Sequence, residues 1–161
     1  MIIARINSYG LGYMLYRLTS DVEKLPFPMA PIAASGATAL AEAVLMAHRA
    51  VGGRKVLVPW ALNPRHREVL ATYAWGAGLE LVEVPYGEDG RLWLPEVPAG
   101  VCALIVQQPN FFGIIEDLSG LKERLGKAFL IVSVNPITLG VLEPPGSFGA
   151  DVVVGEGQVL G

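Results

Sequence analysis

The apolar positions of the chain follow two rhythms. From Val101 to Val106, and again from Phe129 to Val134, apolar and often β-branched residues run almost without a polar interruption. That is the pattern of a strand covered on both faces, as parallel strands in α/β proteins are. The first run leads into Gln107, Gln108, Pro109 and Asn110, the second into Asn135 and Pro136. Between them, Ile115 to Lys127 places Leu118, Leu121 and Leu125 on one helical face and leaves Glu116, Lys122, Glu123 and Arg124 for solvent. The spacing predicts a crossover helix, and with its two strands a βαβ unit.

The same alternation of periods runs through the preceding part. Ala39 to Ala50 is rich in helix formers, with Leu40, Ala43, Val44 and Ala47 on one face and Ser35 as a natural cap. Gly52 and Gly53 end that helix, and Lys55 to Pro59 reads as a short strand. Asn63 caps a second helix with Pro64 in its first position, and Val69, Leu70 and Tyr73 turn inward. Leu79 to Pro85 alternates apolar and acidic residues, which suits a strand near a sheet edge. Tyr86 to Gly100 is a surface loop with a short extended piece at Arg91 to Leu94. After Pro144, Pro145, Gly146 and Gly149, a turn, Asp151 to Val154 reads as one more strand. Strand and helix alternate throughout, so the fold class is α/β, a mostly parallel sheet with helices on both faces. Residues 1–31, broken by Pro26, Pro28 and Pro31, read as an arm or linker, and residues 32–161 as the α/β domain. In open sheets of this kind ligands sit beyond the carboxyl ends of the strands, which directs attention to Gln107, Gln108, Asn110 and Asn135.

Composition narrows the function classes. With 161 residues the chain makes one domain, and 52% hydrophobic against 17% charged residues is more apolar than an average soluble domain, which points to surface reserved for a partner or for further parts of a longer chain. A net charge of −3 without a basic cluster gives no reason to expect nucleic acid or an anionic membrane. Cys102, alone and inside a buried strand, reads as a small apolar filler. No apolar stretch reaches the length of a membrane-spanning helix and no leader pattern opens the chain, so the expected location is cytoplasmic.

Familiar catalytic patterns are sparse. His48 and His66 stand on different helices without a metal-ligand spacing, and no serine has the glycine-flanked elbow of a hydrolase. Gly155 and Gly157 imitate the start of a dinucleotide fingerprint, but the next glycine is displaced to Gly161. The helix start at Ser35, Gly36 and Thr38 suits a phosphate or carboxylate, and an ordinary capped helix would look the same. The residues alone leave open a phosphate- or nucleotide-binding α/β enzyme, a non-catalytic scaffold and an enzyme subunit.

Several separated blocks carry a family resemblance: Ser35 to Ala43, Gln108 to Gly113 followed by Ile115 to Asp117, Pro144 to Gly146 with Gly149 to Asp151, and Val154 to Gln158 with Leu160 and Gly161. From about Ala33 to the last residue the chain resembles the glycine dehydrogenase (decarboxylating) P-protein of the glycine cleavage system, most nearly its subunit 1, as a partial chain. Met1 to Pro31 shows no such blocks.

The resemblance implies the large domain of a fold type I pyridoxal-phosphate-dependent transferase. It implies an oxidoreductase complex that decarboxylates glycine and passes the aminomethyl group to the lipoyl group of the H-protein. Its expected partners are subunit 2, which holds the pyridoxal phosphate, and the lipoylated H-protein. None of Lys24, Lys55, Lys122 and Lys127 follows the last strand, where a cofactor lysine is expected, so this chain is expected to anchor no cofactor and to be inactive alone. Asn135 stands where a carboxylate would meet a pyridine nitrogen, and an amide cannot supply that charge. No residue is assigned a catalytic or metal-binding role. The candidate pocket or interface residues are Ser35, Gly36, Thr38, Asn110, Phe111, Phe112, Asn135, Glu156 and Gln158.

Overall fold

A computed structural model describes residues 36–160. The arm expected over residues 1–31, and Ser35, lie outside the described residues. In chain order the elements are α1 (Gly36–Val51), β1 (Lys55–Pro59), α2 (Pro64–Ala77), β2 (Glu80–Val84), β3 (Val101–Gln108), α3 (Leu121–Leu125), β4 (Phe129–Val134) and β5 (Val152–Gly155). Short 3₁₀ turns occupy Pro136–Gly140, Pro145–Phe148 and Gly157–Leu160.

The five strands form one sheet in the order β2-β1-β3-β4-β5, and every pairing is parallel. β3 and β4, the uninterrupted apolar runs, lie in its interior. Val101 to Val106 and Leu130 to Val134 are all buried. The two faces bury separate cores. Val56, Val58, Ile105 and Ile131 meet Leu40, Val44, Ala47, Leu70 and Ala74 of α1 and α2. Leu57, Leu104, Val106, Leu130 and Val132 meet Leu118, Leu121 and Leu125 around α3. β1 shows the alternation in three consecutive residues, since Val56 and Val58 face one core and Leu57 the other. Helices thus cover both faces, as the alternating periods predict. β2, at an edge, exposes Glu80 and Glu83.

Two expectations change. α1 begins at Gly36 rather than Ala39, so Gly36 to Thr38 belong to the helix itself and not to a loop ahead of it. The crossover helix shrinks to Leu121–Leu125, and Glu116, expected in solvent, is buried at 6% exposure. The cause is local. Glu116 N donates to Gln108 Oε1, Asp117 Oδ1 accepts from Ser119 N, and Gly120 takes a left-handed φ of 69°, all incompatible with a helix starting at Ile115.

Tight joints set the ends of the elements. A Cβ on Gly53 would stand 2.6 Å from the Gly100 carbonyl oxygen and 3.0 Å from Cys102 N, where the chain enters β1 beside β3. His48 Nδ1 donates to the Gly53 carbonyl oxygen at 2.7 Å, which ties the last turn of α1 to that joint. Lys122 Nζ reaches Asp151 Oδ2 at 2.7 Å and the Ala128 carbonyl at 3.0 Å, and the same carboxylate oxygen accepts from Leu130 N. Cys102 is fully buried, its thiol pushed up by desolvation, in keeping with a filler role. No described helix is long and apolar enough to cross a membrane.

Candidate functional site

All strands point the same way, so one end of the sheet collects every strand exit. The exits of β3, β4 and β5 and the first turns of α1 and α2 enclose a cavity of about 220 Å³. Its walls include Gly36, Asn63, His66, Gln107, Asn135 and Glu156. Asn63 owes its place to two bonds. Its Oδ1 accepts from Arg65 N at 3.0 Å and caps α2, while its backbone N donates to Gln107 Oε1 at 2.8 Å. The tip of β3 is thereby fastened to the start of α2. Asn135 caps the turn after β4 in the same manner, its Oδ1 accepting from Ile137 N at 3.1 Å.

These caps use the amide oxygens. The NH₂ groups of Gln107 and Asn135 donate to nothing among the described residues. His66 stands one turn into α2, its Nδ1 buried without a hydrogen-bond partner among the described residues. Desolvation lowers its pKa, against the pull of the Glu156 carboxylate, so the ring is neutral at neutral pH. The cavity therefore offers amide donors, an uncharged imidazole and one carboxylate. That set presents both donors and acceptors to the cavity, the complement of a small polar molecule. Among the described residues no group of three His, Cys, Asp or Glu side chains is placed to hold a metal ion.

A second feature runs along the same rim on the side of β2. Trp60 follows β1, Tyr86 follows β2, and Phe111 and Phe112 follow β3. Their rings touch edge to face in sequence, with centroids 6.1 Å, 5.2 Å and 6.1 Å apart. Beneath this row lies a buried polar hub. Asn110 Oδ1 accepts from Phe112 N and Ile114 N, and its Nδ2 donates to Glu116 Oε1 at 2.8 Å and to the Gly90 carbonyl. Glu116 Oε2 accepts from Leu92 N at 2.8 Å, and Phe111 N donates to the Ala61 carbonyl at 2.8 Å. One buried carboxylate thus holds both the loop bearing Tyr86 and the loop bearing the two phenylalanines.

Of the candidate residues, the cavity brings together Gly36, Asn135 and Glu156. Asn110 is not on its wall. At 4% exposure it is the hub of the loop, its polar atoms all engaged. Phe111 and Phe112 belong to the aromatic row instead. Thr38 is half-buried within α1, and Gln158 is exposed on the last 3₁₀ turn; neither is on the cavity wall. His66 and Asn63 are absent from that set, although Asn63 was legible as a cap. The signal that could have found them is topological, because a helix following a parallel strand starts at the carboxyl end of the sheet.

Comparison with known proteins agrees with this architecture. The family model of the glycine cleavage system P-protein matches residues 17–161, beginning ahead of the Ala33 start of the resembling blocks. The probable glycine dehydrogenase (decarboxylating) subunit 1 of Thermotoga maritima is 56% identical over 126 residues, covering 78% of this chain and 29% of the relative. The corresponding protein of Geotalea daltonii is 47% identical over 131 residues, covering 78% of this chain and 30% of its own. A crystal structure of glycine decarboxylase (P-protein) of the glycine cleavage system, in inhibitor-bound form, superposes with a TM-score of 0.74 at 46% identity, covering 78% of this chain and 29% of that one. The chain thus spans less than a third of the length of these relatives.

Proposed function

The chain belongs to the glycine cleavage system P-protein family, and on that premise we propose that it serves as a subunit 1 portion of glycine dehydrogenase (decarboxylating). The complete enzyme would release CO₂ from glycine and hand the aminomethyl group to the lipoyl group of the H-protein, in the cytoplasm. The observation that carries this reading is the 46% identity to a solved glycine decarboxylase over 78% of the chain, with a common fold. Within the complete enzyme this chain supplies the carboxyl-end wall formed by Gly36, Asn63, His66, Gln107, Asn135 and Glu156.

Pyridoxal phosphate is the cofactor this family implies, and the described residues do not fit its anchoring. Such a cofactor needs a lysine amine at the strand exits. Lys55 begins β1, Lys127 precedes β4, and Lys122 is held by Asp151 and the Ala128 carbonyl ahead of β5 and β4. All three stand at the amino end of the sheet, opposite the cavity. Asn135 meets the cavity with an uncharged amide whose oxygen is engaged as a cap. We therefore assign cofactor anchoring to a partner, subunit 2.

The test is co-expression with glycine dehydrogenase subunit 2, followed by size-exclusion chromatography and an assay of glycine–CO₂ exchange with lipoylated H-protein. Co-elution with exchange activity is expected, with Glu156→Gln lowering exchange while leaving co-elution intact. Co-elution without activity would reduce the chain to a docking module, and failure to co-elute would overturn the subunit assignment.

A further inference from the structure

Four aromatic rings in a continuous row at the surface are unusual in an isolated domain, where exposed apolar residues are normally scattered. Trp60, Tyr86, Phe111 and Phe112 are exposed at 46%, 43%, 51% and 51%. In each edge-to-face pair one ring's edge lies against the other's face, and every ring keeps part of its surface in solvent.

The row is also fixed before anything binds. Trp60 N donates to the Val84 carbonyl at 2.9 Å and Trp60 Nε1 to Glu83 Oε2 at 2.9 Å. Tyr86 is pinned by its bridge to Leu92, and the phenylalanines by Asn110. Rigid aromatic side chains lose little conformational entropy on binding, which is why they serve as anchors at interfaces.

The charges beside the row give it a sign. Arg67 is taken by Glu83, and Arg91 lies 3.9 Å from Asp89 and donates to the Ile115 carbonyl. Glu88, exposed on the turn next to Tyr86, is paired with nothing among the described residues. The turn beside Tyr86, with Glu88 and Asp89, is acidic, and the faces of aromatic rings are themselves negative.

We propose that this row is a docking surface for a protein partner presenting lysine or arginine among apolar side chains, the cation lying on the ring faces near Glu88 and the apolar groups between the rings. The surface stands on its own geometry and needs no assumption about glycine chemistry.

The chain would be titrated by calorimetry with two short blocked peptides, one alternating leucine and lysine, the other leucine and glutamate. The lysine peptide should bind at least roughly ten-fold more tightly than the glutamate peptide. Glu88→Lys, and Tyr86→Ser combined with Phe112→Ser, should each weaken it by a similar factor, while Trp75→Ser, in the last turn of α2 and outside the ring contacts, should not. Circular dichroism would establish that the variants fold. Should the double variant misfold, Glu88→Lys on its exposed turn decides. Equal binding of both peptides, no binding, or indifference to Glu88→Lys overturns the proposal. So does a dimer in sedimentation that Phe112→Ser disperses, which would make a second copy the occupant.

Discussion

His66 and Asn110 show how much a single side chain can contribute to the stability of the fold. Burial lowers the pKa of His66 below its ordinary value of 6.5, so folding favours the neutral ring. Its contribution is complete above about pH 6.5 and is lost as pH falls, because the unfolded chain takes up the proton first. Urea titrations between pH 7.5 and 5 should show stability falling on the acid side, and His66→Gln should flatten that part of the profile. Asn110→Ala removes the acceptor of Phe112 N and Ile114 N and one donor to the buried Glu116 carboxylate. Orphaned buried groups of this kind should cost about 2–4 kcal/mol, read from the shift in denaturation midpoint. At this scale the sequence was only partly legible. Asn135 and Glu156 are recognisable because they directly follow strands, whereas the burial of Asn110 depends on Glu116 and Gly90, residues whose proximity no local pattern announces.

Elements are held by backbone approach as much as by apolar faces. Two glycines make opposite cases. Gly53 has no room for a Cβ against the Gly100 carbonyl, and Gly53→Ala should destabilise by about 1–3 kcal/mol. Gly76 lies inside α2 with nothing within 4 Å, and Gly76→Ala should stabilise by about 0.5–1 kcal/mol through helix propensity and the unfolded chain. Thermal melts of both variants against the parent protein check the pair. β1, β3, β4 and α2 were legible because their patterns are long or capped, as Asn63 and Pro64 cap α2. The segment Ile115 to Gly120 was not, since its leucine spacing fits a helix while Gln108, Asp117 and Gly120 bind its backbone otherwise. Side-chain capture of the backbone outweighs a helical period over so short a span.

Over the described domain the two ends of the sheet differ in kind. The amino end carries Lys55, Lys122 and Lys127, and the carboxyl end carries the polar cavity and the aromatic row, meeting at the exit of β3. That polarity follows from parallel strands alone, which is why the sequence pattern could point to the carboxyl end before any side chain was placed. The strand order has another consequence, for the sequence of events in assembly. β1 pairs with β2 across the α2 crossover, Lys55 with Glu80, and then waits for β3, whose partnering residues follow more than forty positions later in the chain. β4 and β5 add outward from there. During synthesis, the first βαβ unit therefore exists with a bare apolar edge on β1 until Val101 to Gln108 has emerged. Pairings this distant belong to slow folders, and the interval before β3 arrives is when the nascent chain is most exposed to association through that edge.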